Sequence, residues 1–478
     1  MRTWQAVGPT ASATYNVAAD RQSPARLFAG DASHHAWVAS ACAVFLLFAA
    51  FALWHRLDAS GTQLVGVHLA PPVRPVPAAY FGMHLHRALP YAPGEPKSIW
   101  PRNAGFSAVR LWDAHVAWPD LEPKRNEWQF GHLDSLIALA EFHNARVLLT
   151  LGLTPGWASS RPAEPSAYQK GNQAPPRQLE DWRRYVDTVA RRYRGRVEAY
   201  EVWNEPNQPG FFSGSIDDLV QLAKVARDAI SQADPAALVT TPSPTGRYRG
   251  AKWLDTYLGR GGGQFMDVVA FHFYVSPYPA DSMIPVLDSV EAVLRRRVRK
   301  DVPIWNTEIG WNIQNRTAPF NPRGPRDSFD GVVLDSSASG ATIAQTLMLA
   351  WCGGVSRTYW YAWDNRRMGL IEPNGRTLKS AAVAFRAVSA WLTGAKVTSC
   401  DRSTGGTWIV RLENSSSRQA IVWHEAGLVQ FQVPADWRVI GATRLSDDRR
   451  RIAPIRRGVI ELGAEPVLLT TGPASRTP

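Results

Sequence analysis

Eight short apolar runs, most with polar residues at their ends, recur along the middle of this chain. They read YFGMHLH from Tyr80, FSAVRLWD from Phe106, ARVLLTLGL from Ala145 and VEAYEVWNE from Val197. ALVTTPSP from Ala237, MDVVAFHFY from Met266, VPIWNTEIG from Val302 and SRTYWYAWD from Ser356 follow. Continuous apolar runs of this length belong to strands buried on both faces of a parallel sheet. The stretches between them read as helices. DWRRYVDTVARRY places Trp182, Tyr185, Val186, Val189 and Tyr193 on one face, and Ser215 with Asp218 opens the next helix as a capping pair. At 478 residues the chain is too long for one compact domain unless that domain is an α/β barrel. Eight βα units predict a TIM (β/α)8 barrel over residues 78–393. An open doubly wound sheet is the rival, but no G-x-G-x-x-G follows the first run, which argues against a dinucleotide domain.

The texture changes on either side. After Thr393, TWIVRLEN, QAIVWHE, LVQFQVP, WRVIGATRL and GVIELGAEPVLLTT are short strands between turns. They predict a small antiparallel β-sandwich over residues 394–472, with a polar tail at 473–478. Ahead of the barrel, residues 36–54 form 19 positions without a charge. That is long enough for one transmembrane helix, and no clean cleavage site follows it. Residues 1–35 read as a flexible N-terminus and 55–77 as a Pro-rich linker. Arg2, Arg21 and Arg26 precede the apolar run, which puts the N-terminus in the cytoplasm and the barrel outside it.

Net charge is +12, yet the basic residues are dispersed, and the densest runs, at 295–300 and 449–457, hold no aromatics. A nucleic-acid surface is not indicated. Cys42, Cys352 and Cys400 have no metal-binding spacing, and Cys42 lies in the apolar run, so at most one disulfide is expected beyond it. The 20 Trp are many, and their flat faces suit both core packing and sugar stacking.

Chemistry in such barrels sits at the C-terminal ends of the strands. Here those ends carry His84 and His86, Arg110 and Asp113, Trp157, Asn204-Glu205, His272 and Tyr274, Glu308, and Trp363-Asp364. Glu205 and Glu308 end the fourth and seventh runs, which face each other across the mouth. Paired carboxyls so placed suit glycoside hydrolysis, one protonating the leaving oxygen and the other attacking the anomeric carbon. Asp113 and Asp364 are the alternatives should the register differ.

VWNEPN and WNTEIGW resemble the acid/base and nucleophile signatures of the retaining glycoside hydrolases of clan A. The barrel, residues 78–392, is most similar to family 39, which includes β-xylosidases, α-L-iduronidases and bacterial endoglycosidases acting on exopolysaccharide. With its anchor and β domain the chain is more similar to the last of these. The resemblance implies Glu205 as general acid/base and Glu308 as nucleophile. It implies that Asn204 binds the sugar 2-hydroxyl, and that Tyr274, beside His272, hydrogen-bonds Glu308. Arg110 would lie beneath Glu308, Trp363 would floor the cleavage subsite, and Trp157 and Trp311 would stack sugars further along. No cofactor is implied, and His84 and His86 complete no metal-binding pattern. The implied partners are a polysaccharide, the bacterial inner membrane with the barrel in the periplasm, and an exopolysaccharide synthesis or export complex. An exo-acting β-xylosidase-like enzyme and an inactive sugar-binding scaffold of such a complex stay open as alternatives. A phosphate-binding barrel is disfavoured, since GRGGGQF at Gly259 precedes the sixth run rather than following a strand.

Overall fold

The computed structural model describes residues 66–471, apart from 92–93, 95–96, 299–300, 317–331, 415–416, 446–454 and 456. The apolar run at 36–54, the N-terminus before it, the tail at 473–478 and most of the basic run at 449–457 lie outside the described residues. Among the described residues no helix is long and apolar enough to cross a membrane.

The first strand, β1 (Val67–Leu69), is not part of the barrel. Barrel strands follow as β2 (Phe81–His84), β3 (Ala108–Leu111), β4 (Arg146–Leu151), β5 (Ala199–Val202), β6 (Leu238–Thr240), β7 (Val269–His272) and β8 (Ile304–Ile309). A two-residue ladder, β9 (Asn312–Ile313) with β10 (Val333–Leu334), precedes the last barrel strand, β11 (Val355–Trp360). All eight apolar runs become parallel strands of one sheet, in the order β6-β5-β4-β3-β2-β11-β8-β7. A parallel bridge from Thr240 to Val268 joins its two edges and closes the barrel.

The helices follow their sequence signals. Leu179–Arg192 buries Trp182, Tyr185, Val186 and Val189. Ser215 caps Ile216–Ala233 by accepting from the Asp218 backbone N–H, in a capping box worth about 1 kcal/mol.

The C-terminal strands are β12 (Lys396–Arg402), β13 (Thr407–Glu413), β14 (Arg418–His424), β15 (Val429–Gln432), β16 (Val439–Arg444), β17 (Val459–Leu462) and β18 (Val467–Thr471). They differ from an even β-sandwich. One antiparallel sheet runs β1-β12-β13-β14-β18-β16, and only the β15–β17 pair stands apart from it. The barrel supplies cover that a second full sheet would give. Trp408, Val410, Leu412 and Trp423 share one apolar cluster with the barrel and its helices. A disulfide joins Cys352, at the end of helix Ser336–Cys352, to Cys400 on β12.

The 55–77 stretch also departs from a plain linker. Val67–Leu69 pairs antiparallel with β12, Val67 opposite Arg402, and Val76 bridges Thr393. An exposed sheet edge gains a partner wherever one is in reach, and the extended, Pro-flanked chain supplies one here.

Candidate active site

The fourth barrel strand ends in an unusual backbone. Trp203 and Glu205 have φ of 72° and 43°, in the left-handed region. Such residues cost of order 1–3 kcal/mol each and persist only where their surroundings hold them. Here the Trp203 N–H bonds Leu151 O at 2.8 Å and the Glu205 N–H bonds Ser243 O at 3.0 Å. The alternation turns both Asn204 and Glu205 into the mouth, where they line a cavity of about 660 Å³.

On β8 the pairing with β7 slips. Phe271 lies opposite Asn306, but His272 lies opposite Glu308, so Thr307 is the extra residue of a bulge. Bulges re-aim side chains, and this one sets Glu308 beside His272. Gly310 follows because the Tyr361 carbonyl occupies the space a Cβ would need.

Arg110, fully buried on β3, organises the floor. Its Nη1 donates to Glu308 Oε2 at 2.8 Å, Nη2 to Asn204 Oδ1 at 2.7 Å and Nε to Glu201 Oε2 at 2.7 Å. Thr150 Oγ1 also donates to Glu201, at 2.7 Å. The Tyr274 hydroxyl donates to Glu308 Oε1 at 2.9 Å, so both oxygens of Glu308 are held by donors.

Glu205 has a different neighbour. His272 Nδ1 lies 2.8 Å from Glu205 Oε1, and burial lowers the His272 pKa to about 4, so the imidazole is neutral. His272 Nε2 is buried without a partner. The tautomer with hydrogen on Nδ1 is therefore favoured, because the other would bury an N–H with no acceptor. It fixes Glu205 Oε1, and the Thr245 side chain is a second hydrogen-bond partner of the carboxyl.

Burial pushes the Glu205 carboxyl up to about 7, with Asp113 and Glu201 adding to the rise against Thr245 and Arg110. Burial also raises Glu308, with Glu205 and Asp113 adding to it, while His272 and Arg110 oppose. The one proton such a pair retains belongs on Glu205. Glu308 receives a guanidinium and a hydroxyl, both of which favour its charged form.

One ligand oxygen each from Glu205 and Glu308, with a His272 nitrogen, lie within 4.8 Å of one another. Among the described residues this is the group that could hold a metal ion, but the Arg110 guanidinium on Glu308 opposes a second cation there.

Other expected residues fall elsewhere. Trp157 packs edge-on to Trp118 and donates to Glu122 O at 3.0 Å. Trp311 is buried and stacks on Trp360 at 5.7 Å. Trp363 is buried and donates to Ile99 O at 2.6 Å. None of the three lines the cavity. A tryptophan two or three positions past a strand end can turn either way, and these turn to core. Tyr361 lines the cavity instead, its hydroxyl donating to Asp113 Oδ2 at 2.9 Å. Trp112, Tyr168 and Phe211 also line it.

Asp364 is a loop clamp, accepting the His86 and Arg87 backbone N–H groups at 2.8 and 2.7 Å. His84 bonds Thr307 O at 3.0 Å, and His86 packs on Tyr361. Sequence reasoning missed Glu201. The signal was there, a lone carboxylate inside an apolar run, which needs a buried cation.

An eight-stranded parallel barrel with glutamates at the ends of its fourth and seventh strands has the architecture of the clan A glycoside hydrolases. Residues 102–324 match the model of glycosyl hydrolases family 39. The chain is 26% identical over 245 residues to a β-xylosidase of Caldicellulosiruptor saccharolyticus, covering 46% of this chain and 46% of that protein. It thus spans about half the length of the curated relatives it matches. In fold it is similar to a family 39 glycoside hydrolase of Bacteroides cellulosilyticus WH2, with TM-score 0.64, 18% identity, and 83% and 81% of the two chains covered. It is also similar to a monomeric β-xylosidase of Caulobacter crescentus CB15, with TM-score 0.59, 16% identity, and 85% and 98% covered.

Proposed function

We propose that this protein is a retaining glycoside hydrolase that cuts within a polysaccharide. The observation that carries the reading is the close pair, with Glu205 and Glu308 oxygens within 4.8 Å. Carboxyls about 5–5.5 Å apart act by double displacement, whereas inverting enzymes need roughly 6.5–9.5 Å to admit a water.

Glu205 gives its proton to the glycosidic oxygen as Glu308 attacks the anomeric carbon. The leaving sugar departs as an alcohol and Glu308 becomes a glycosyl ester. Glu205, now a carboxylate, takes a proton from a water that attacks the same carbon, and Glu308 is released. Two inversions give net retention. Asn204 Oδ1 is occupied by Arg110, so its amide N–H₂ faces the cavity and donates to the sugar 2-hydroxyl. Such a contact strengthens in the transition state.

The finer reading is an endoglycosidase of a bacterial exopolysaccharide, held at the inner membrane by residues 36–54 with the barrel in the periplasm. It is supported by the charge-free run, the appended β domain and the sequence resemblance. An exo-acting β-xylosidase is the second reading, favoured by the names of the curated relatives. The test is the product profile of the full chain on bacterial exopolysaccharides and plant β-glycans, with Glu308→Gln as control. Oligosaccharides from the wild type alone support the endo reading, and monosaccharides alone support the exo reading. A polymer that binds but is never cut, by any of the glycans, sinks the hydrolase.

A further inference from the structure

The cavity wall that follows β6 differs in charge from the floor. Gly246, Arg247, Tyr248 and Arg249 line it, at the start of helix Arg247–Gly259. Several arginines elsewhere on the barrel pair with carboxylates, Arg192 with Asp134 and Arg196 with Glu141 among them. Among the described residues neither Arg247 nor Arg249 has a carboxylate partner. Two arginines thus line a cleft without a carboxylate to neutralise them.

The segment is held in place rather than loose. Gly246 and Arg247 have φ of 89° and 49°, two successive left-handed residues that swing the chain into the helix. Asn207 clamps the residue before them. Its Nδ2 donates to Thr245 O at 2.7 Å and its Oδ1 accepts the Thr245 N–H at 3.0 Å. The same N-E-P-N segment that carries Glu205 therefore positions this wall. The Arg247 guanidinium sits 4.7 Å from the ring centroid of Tyr278. Tyr278 and Tyr248 are 48% and 55% exposed, which is unusual for rings this large. Exposed tyrosines beside unpaired guanidinium groups offer a sugar ring a face and its carboxylate a planar fork of donors.

We propose that this wall is a subsite for a carboxylate-bearing sugar, displaced along the polymer from the bond that is cleaved. It rests on the glycoside hydrolase reading and adds the charge of the substrate. The net charge of +12 acts in the same sense, drawing a polyanion toward the molecule at long range.

The test is affinity electrophoresis of the full chain carrying Glu308→Gln, which removes the nucleophile. The gels contain xanthan, a uronate-bearing exopolysaccharide, the same polymer after carboxyl reduction, or dextran sulfate. Retardation by xanthan about tenfold stronger than by its reduced form is expected. Adding Arg247→Gln and Arg249→Gln should abolish that preference without lowering the melting temperature. Equal retardation by the two forms, or by neither, overturns the proposal. So does a preference that survives both arginine changes, or dextran sulfate binding as tightly as xanthan, which marks a generic basic patch. Wild type that cuts no glycan while the charge preference holds sinks the hydrolase but not the subsite. Wild type that cuts neutral glycans while the two xanthans bind alike sinks the subsite alone.

Discussion

Inside the C-terminal sheet, Trp408 lies opposite Trp423 across the β13–β14 pair, their rings stacked at 5.7 Å, and Val410 lies opposite Ile421. At the mouth of the barrel the equivalent depth holds Arg110, Glu201, Asn204, His272 and Glu308. Both interiors are buried, but only the first is made of groups that gain by leaving water. A charge taken inside costs several kcal/mol unless its partners are well placed. The sheet shows that this chain can build an apolar interior. The polar set in the barrel is held at a cost in stability, and the proposed chemistry accounts for it.

That contrast can be broken most sharply at Glu308. Glu308→Gln is expected to reduce kcat by ~10⁴-fold or more while the fold stays intact, read by turnover of an aryl glycoside and by circular dichroism. Arg110→Met strikes both properties at once. It leaves Glu201 and Glu308 buried without their cation, which should cost about 3–5 kcal/mol in denaturant unfolding. Activity should fall with it, by more than loss of folded protein explains. Trp423→Ala is the counterpart in the sheet. A cavity there should cost a similar ~3–5 kcal/mol, yet kcat/KM of the folded fraction should be unchanged. A large fall in kcat/KM would mean the sheet takes part in catalysis.

The smallest effect tests the sign of what burial does to Glu205. Glu205 is raised to about 7 from 4.5. A carboxyl with a raised folded pKa favours folding below its unfolded pKa, and that contribution is lost as pH rises through the folded value. Glu205→Gln should thus stabilise the protein above pH 7, by up to ~3 kcal/mol, with the gain vanishing below about pH 4.5. Melting curves at both ends of the range check it. The same proton should set the alkaline limb of kcat/KM in the wild type, with half the activity expected to be lost near pH 7 in a pH–rate profile.

The barrel was legible because a parallel strand buried on both faces leaves a run of sequence no surface segment has. Arg110, Asn204, Glu205, His272, Tyr274 and Glu308 could be picked out because a polar residue at the end of such a run is expensive, and the structure brings them together. Trp157, Trp311 and Trp363 misled because a tryptophan serves core and cleft equally, and its direction is settled by packing. Tyr361, Tyr168 and Asp113 meet only through tertiary structure, from segments up to 248 residues apart. The short strand β1 sat inside a Pro-rich stretch, where three residues carry no readable period.

That strand has a consequence in time. Val67 leaves the ribosome early, but Arg402, its partner, is made when most of the chain is already out. The barrel strands appear between them, so the barrel can begin to assemble while the sheet still lacks its edge. The edge can close only once β12 is made, joining the beginning of the described chain to the first strand after the barrel. A molecule whose synthesis stops before β12 therefore leaves β1 without its partner strand, an open edge that the finished chain covers.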